Sequence, residues 1–293
     1  MIKIFLVLLA GITSISFAAI FIRFCHDVPA VMIATYRLGL ASLILCIIFR
    51  LKGGSFRNIH KKDLVFSLIG GIFLALHFIT WISSLKYTSV ASSVVLVTTN
   101  PIFVGIFSYF ILRETQHVTL IAGIIMCFMG SALIAFGDSG IHAFVFSNTQ
   151  ALLGDALALI GAVMASGYLI AGSLARERLD ILTYVTIVFT ISAIILLVIS
   201  LVMGIPFTGY RPTSYVYMVL LAIVPQLIGH TSINWALRHL KASMIAISIL
   251  GEPIGATLLA YLFFSESVSM MQCAGMILIF TAILLASRKG IKQ

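Results

Sequence analysis

Long apolar stretches recur along the chain, and short polar connections separate them. A helix needs about 20 mostly apolar residues to cross a bilayer. By that measure the pattern predicts ten spanning helices, at 4–23, 30–49, 64–84, 91–112, 117–136, 152–174, 181–203, 215–236, 243–263 and 269–287. The longest connections are 50–63 and 137–151, and no stretch reads as a separate soluble domain. The fold class expected is therefore an all-α integral membrane protein. The opening run "MIKIFLVLLAGITSISFAAIFIR" is long enough to span, so it is read as a retained first helix rather than a cleaved leader.

Composition supports this class. Of the 293 residues, 61% are hydrophobic and only 9% charged, against about 25% charged in a soluble domain. The net charge of +9 would suggest nucleic acid in a soluble chain. Here the placement of the basic residues argues for topology instead, and no nucleic-acid partner is expected. Of the 18 Lys and Arg, 14 fall in alternate connections and the two ends, only Arg23, Lys86 and Arg211 fall in the other set, and Arg37 lies inside the second run. Cytoplasmic loops collect Lys and Arg, which predicts cytoplasmic N- and C-termini.

One offset of 152 residues relates the two halves. It pairs Pro101 with Pro253, Tyr109 with Tyr261, Glu114 with Glu266, Leu85-Lys86 with Leu237-Arg238, and Gly123 with Gly275. Each half then holds five spans. Five is odd, so the second half enters the membrane upside down. An inverted repeat of this kind is characteristic of secondary transporters.

The segments "SLKYTSVASSVVLVTTNPIFVGIFSYFILRE" and "WALRHLKASMIAISILGEPIGATLLAYLFFSE" share a Leu-(Lys/Arg) start, a central proline and a terminal Glu. In these features the chain resembles the EamA family of the drug/metabolite transporter superfamily over essentially its whole length. The resemblance implies two EamA repeats, 1–146 and 147–293. It also implies a multi-pass carrier of the inner (plasma) membrane, commonly an exporter of amino acids or other small metabolites.

Ionisable residues inside a bilayer are expensive and mark candidate sites. Glu252 lies mid-run, where the first half has Asn100. It reads as a coupling carboxylate that exchanges protons, as a partner for a substrate ammonium group, or as a structural glutamate bonded across helices. Pro101 and Pro253 cannot donate to the carbonyls of Val97 and Ile249, so both predict broken or kinked helices. His77, Thr80, Trp81 and Ser84 share one helix face. So do Gln226, His230 and Asn234, with Pro225 beside them. These two stripes, with Asn100, Ser248 and Glu252, are expected to line a polar cavity that takes a small-molecule substrate. Hydrogen bonding between helices is the plainer reading of the same stripes.

Arg37 reads as a structural tie or as a contact for a substrate carboxylate, while Glu114 and Glu266 read as helix-end anchors. Trp81 and Trp235 read as packing residues or as stacking surfaces.

No phosphate-binding "GxxxxGK[ST]" and no "HExxH" occurs. Neither a cofactor nor catalysis is expected. A metal site built from His77, His230 and Glu252 has no support in their spacing. The expected function is secondary active export by alternating access, as a monomer or homodimer in the lipid bilayer. A passive channel or facilitator is the first alternative, and a membrane-embedded enzyme the second.

Overall fold

A computed structural model describes residues 2–57, 59–88, 90–114, 118–139, 149–264 and 268–287. The predicted Glu266 anchor lies outside the described residues. Helices make up the described elements. They are α1 (Ile2–Phe24), α2 (Ala30–Leu51), α3 (Lys61–Ser84), α4 (Val90–Val97), α5 (Asn100–Ile111), α6 (Val118–Ser139), α7 (Thr149–Ala175) and α8 (Ile181–Val202). There follow α9 (Pro212–Leu221), a π-helical segment (Ala222–His230), α10 (Thr231–Ala236), α11 (Ala242–Ile249), α12 (Gly251–Phe264) and α13 (Met270–Ser287).

Among the described residues seven helical stretches are long and apolar enough to cross a membrane. Three shorter apolar stretches, Val95–Ile111, Ile121–Ile134 and Met270–Leu285, fall where the other three spans are predicted.

Both central prolines sit at helix breaks. Between α4 and α5 the chain tightens, with the Thr99 amide bonded to the Leu96 carbonyl at 3.1 Å. Between α11 and α12 the Leu250 amide bonds Ile247 in the same way, also at 3.1 Å. Pro101 and Pro253 then lie in the first turn of the new helix, where a missing N–H costs least. The Thr98 and Thr99 hydroxyls cap the end of α4 on the Val95 and Leu96 carbonyls.

The eighth predicted run is a single path from α9 to α10, widened in the middle into π geometry around Pro225. Pro225 lacks an N–H and its ring crowds the preceding turn; a wider turn absorbs both.

Packing brings α3 onto α7 and α8, α2 onto α8, α1 onto the π segment, α10 and α12, α5 onto α11, and α6 onto α13. Glycines set the closest approaches. A Cβ on Gly11 would stand 2.9 Å from Ser232, and one on Gly229 would stand 2.6 Å from Ile15, so α1 crosses the π segment with almost no space between backbones. A Cβ on Gly130 would stand 2.8 Å from the Gly275 carbonyl where α6 crosses α13. Small residues are how helices approach where lipid supplies no hydrophobic drive.

A candidate substrate cavity between broken helices

The two helix breaks open onto one cavity of about 110 Å³. Val97, Thr98 and Asn100 reach it from the first break, and Ile249, Leu250, Glu252 and Pro253 from the second. Helix α1 contributes Ile15 and Ala18, and α7 contributes Ala165 and Tyr168. His77 and Trp81 come from α3, His230 from the π segment and Arg37 from α2.

Arg37 is 1% exposed. Its Nε donates to Gln226 Oε1 at 2.8 Å, and the guanidinium carbon lies 4.2 Å from the centre of the Phe78 ring. Glu252 lines the same cavity. Its backbone carbonyl accepts from Ser16 Oγ at 3.3 Å. The His77 ring meets the Gly161 carbonyl through Nδ1 at 2.9 Å. A carbonyl only accepts, so the shared hydrogen sits on Nδ1. His77 also stacks on Trp81, with centroids 5.9 Å apart and planes 5° apart.

Of the predicted lining residues, His77, Trp81, Asn100, His230 and Glu252 reach the cavity, joined by Arg37 and Pro253. The others are placed beside or behind the wall. Thr80 bonds back to the Leu76 carbonyl at 2.8 Å. Ser84 meets Ser93 Oγ at 2.6 Å. Ser248 donates to the Met244 carbonyl at 2.9 Å. Gln226 holds Arg37 from behind, and Asn234 donates to the Tyr168 hydroxyl and the His230 carbonyl. Pro101 is buried next to Asn100, at the start of α5. Among the described residues no group of three His, Cys, Asp or Glu is placed to hold a metal ion.

Three residues carry more than their sequence context suggests. Tyr168 and Phe78 line the cavity, yet in an apolar run they look like ordinary packing. Arg176, read as a loop residue in the charge pattern, is 1% exposed. Its Nε donates to the Asn234 carbonyl at 3.1 Å, and Nη1 donates to the Leu179 carbonyl. In the same five-residue connection from α7 to α8, Glu177, Arg178 and Asp180 are exposed, so Arg176 alone among its charged residues turns inward.

At the other end of α5, Glu114 lines an open groove with Glu177, Arg238 and Lys241. Arg113 takes a left-handed conformation, φ 54°. This turns the chain so that the Glu114 amide bonds the Ser108 carbonyl at 3.1 Å.

A family model of EamA-like transporters matches residues 1–136 and 152–288. The chain belongs to the EamA-like transporter family.

Several curated relatives are named only as uncharacterized transporters. One, from Clostridium kluyveri, is 27% identical over 67% of this chain and 63% of its own length. YxxF of Bacillus subtilis is 29% identical over 78% of this chain and 72% of its own. A third, from Archaeoglobus fulgidus, is 23% identical over 88% and 87%. A solved structure titled only as the crystal structure of a protein superposes with a TM-score of 0.81 at 18% identity, covering 98% of this chain and 96% of that one. That likeness speaks to the fold. Family and relatives together indicate that this EamA protein is a multi-pass membrane transporter.

Proposed function

We propose that this EamA protein is a secondary active exporter of small metabolites, amino acids first among them, working by alternating access in the inner membrane. In this reading ten helices span the bilayer, both termini face the cytoplasm, and residues 1–146 and 147–293 are inverted repeats. The observation that carries it is the meeting of two sequence-matched helix breaks, at Pro101 and Pro253, on one central cavity. Broken helices at mid-depth are how transporters expose backbone groups to a cargo.

The packing supports the same reading. Exchanging the halves turns the contact of α3 with α7 into that of the π segment and α10 with α1, while α2·α8 and α6·α13 map onto themselves. Two such halves can swap roles, one opening each side in turn. The cavity holds both a guanidinium and a carboxyl group, which suits a cargo bearing both charges, as an amino acid does.

The test is counterflow in proteoliposomes, with amino acids loaded inside and labelled amino acid outside. A carrier accumulates label transiently above equilibrium. Flux that never saturates and shows no counterflow would instead identify a channel. Profiling the medium of overexpressing cells then reads direction: accumulation outside supports export, and depletion supports uptake.

A further inference from the structure

We propose that Arg37 is the anchor for a carboxylate group of the cargo, and that Gln226 is the positioning residue that keeps it ready. This rests on the transporter reading above and adds the chemistry of the cargo. The observation behind it is a buried arginine whose bonding is incomplete. Arg37 is held at Nε by Gln226 and covered by the Phe78 ring, yet its Nη1 is buried with no hydrogen-bond partner among the described residues.

Arg176 supplies the contrast within the same chain. It is equally buried, and carbonyls accept from both its Nε and its Nη1. That is how an arginine looks when its task is to tie helices together. Arg37 has a neutral partner at one nitrogen and an open donor at another. A buried guanidinium without a bonded counter-ion is costly, and an anion in the cavity removes that cost.

Gln226 makes chemical sense as the holder. Its amide oxygen fixes Nε without neutralising the charge. A glutamate there would form the ion pair itself and compete with the cargo. The planar fork of arginine favours carboxylate, which it can meet with parallel bonds. Phe78, Trp81, Leu169 and Ile233 supply apolar walls for the rest of the molecule.

The experiment uses the purified full chain in detergent. The probes are the proteinogenic L-amino acids, each paired with its C-terminal amide, and inorganic phosphate. Binding is read by thermal shift and by Trp81 fluorescence in a Trp235→Phe background. At least one acid is expected to bind ten-fold or more tightly than its amide, and Arg37→Gln is expected to abolish the difference. Gln226→Glu is the decisive variant. It keeps an acceptor for Nε, so the ligand-free protein should melt no lower than wild type, yet acid affinity should fall ten-fold or more. A purely structural Arg37 would tolerate that change with binding intact.

Equal binding of acid and amide, no binding of any acid, or unchanged affinity in Gln226→Glu would overturn the proposal. Phosphate binding as tightly as the best acid would replace the carboxylate anchor with a general anion site. Acid binding without counterflow would sink the transporter reading and leave the anchor standing. Counterflow indifferent to Arg37→Gln would do the reverse.

Discussion

The side chain of Asn234 donates to the hydroxyl of Tyr168, joining the path through α10 to α7 beside the cavity wall. The same amide reaches the His230 carbonyl at 2.7 Å, and the Asn234 carbonyl receives Arg176. One residue therefore holds a cavity tyrosine, the end of the π segment and a buried arginine.

Removing parts of this junction should cost unequal amounts. Tyr168→Phe deletes one acceptor and leaves Asn234 its bond to His230, so about 1 kcal/mol of stability should be lost. Asn234→Leu strands the buried Tyr168 hydroxyl as well, and about 2–3 kcal/mol is expected. Denaturation in detergent, run as a double-mutant cycle, measures the coupling. Equal small losses in both variants would show that the hydrogen bond contributes little.

Glycine substitutions should separate close crossings from open surface. A Cβ on Gly130 meets the Gly275 carbonyl at 2.8 Å and Ile279 at 2.7 Å. Gly130→Ala should therefore push α6 from α13 and cost about 1–3 kcal/mol. Gly39 in α2 has nothing within 4 Å of its added Cβ. Gly39→Ala should be neutral or stabilise by up to about 1 kcal/mol through helix propensity. Melting of the two variants side by side decides it.

Equivalent halves should respond alike at their breaks. Pro101→Ala and Pro253→Ala each restore an N–H that lets the helix run on, so each should slow transport without loss of folded protein. A slowing of about tenfold corresponds to roughly 1.4 kcal/mol on the rate-limiting step. Initial counterflow rates at matched protein levels are the readout. A large effect at one proline and none at the other would count against shared roles.

A clasp between connections should show itself through pH. Asp27, between α1 and α2, accepts from the Arg211 amide at 2.8 Å and from the Ser214 hydroxyl at 2.6 Å. The Arg211 amide, then Ser214, hold its carboxyl below the ordinary range. A lowered value means the clasp contributes fully above the unfolded value of about 3.9 and is lost as pH falls through the lower folded value. Asp27→Asn should melt about 2 °C below wild type at pH 7, and the gap should close as pH falls through the lowered folded value. A gap that stays constant with pH would assign the effect to shape rather than charge.

Much of the architecture is legible from residue order, because bilayer-length apolar runs and prolines at equal offsets act through backbone length and hydrogen bonding. The cavity is less legible. His77 and Trp81 reach it while Thr80 and Ser84, on the same stripe, bond to neighbouring backbone or hydroxyl groups. A polar stripe looks the same whether it faces a cavity or another helix. Tyr168 and Phe78 give no periodic signal at all within apolar runs. Arg176 falls among the basic connections by position, and charge alone does not reveal that its side chain folds inward.

The π segment changes how the two halves must be compared. His77 and His230 line one cavity, yet 153 positions separate them, one more than the repeat offset. The offset is again 152 at Leu85-Lys86 and Leu237-Arg238, so the one-residue shift is local and falls at the end of the π segment Ala222–His230, where the turn is wider than an α turn. A gapless alignment pairs His77 with Gly229 and hides the match. For chains built this way, the bookkeeping of equivalent positions belongs to helical turns rather than to residue counts, and a single deletion within the π segment is a change of register before it is a change of chemistry.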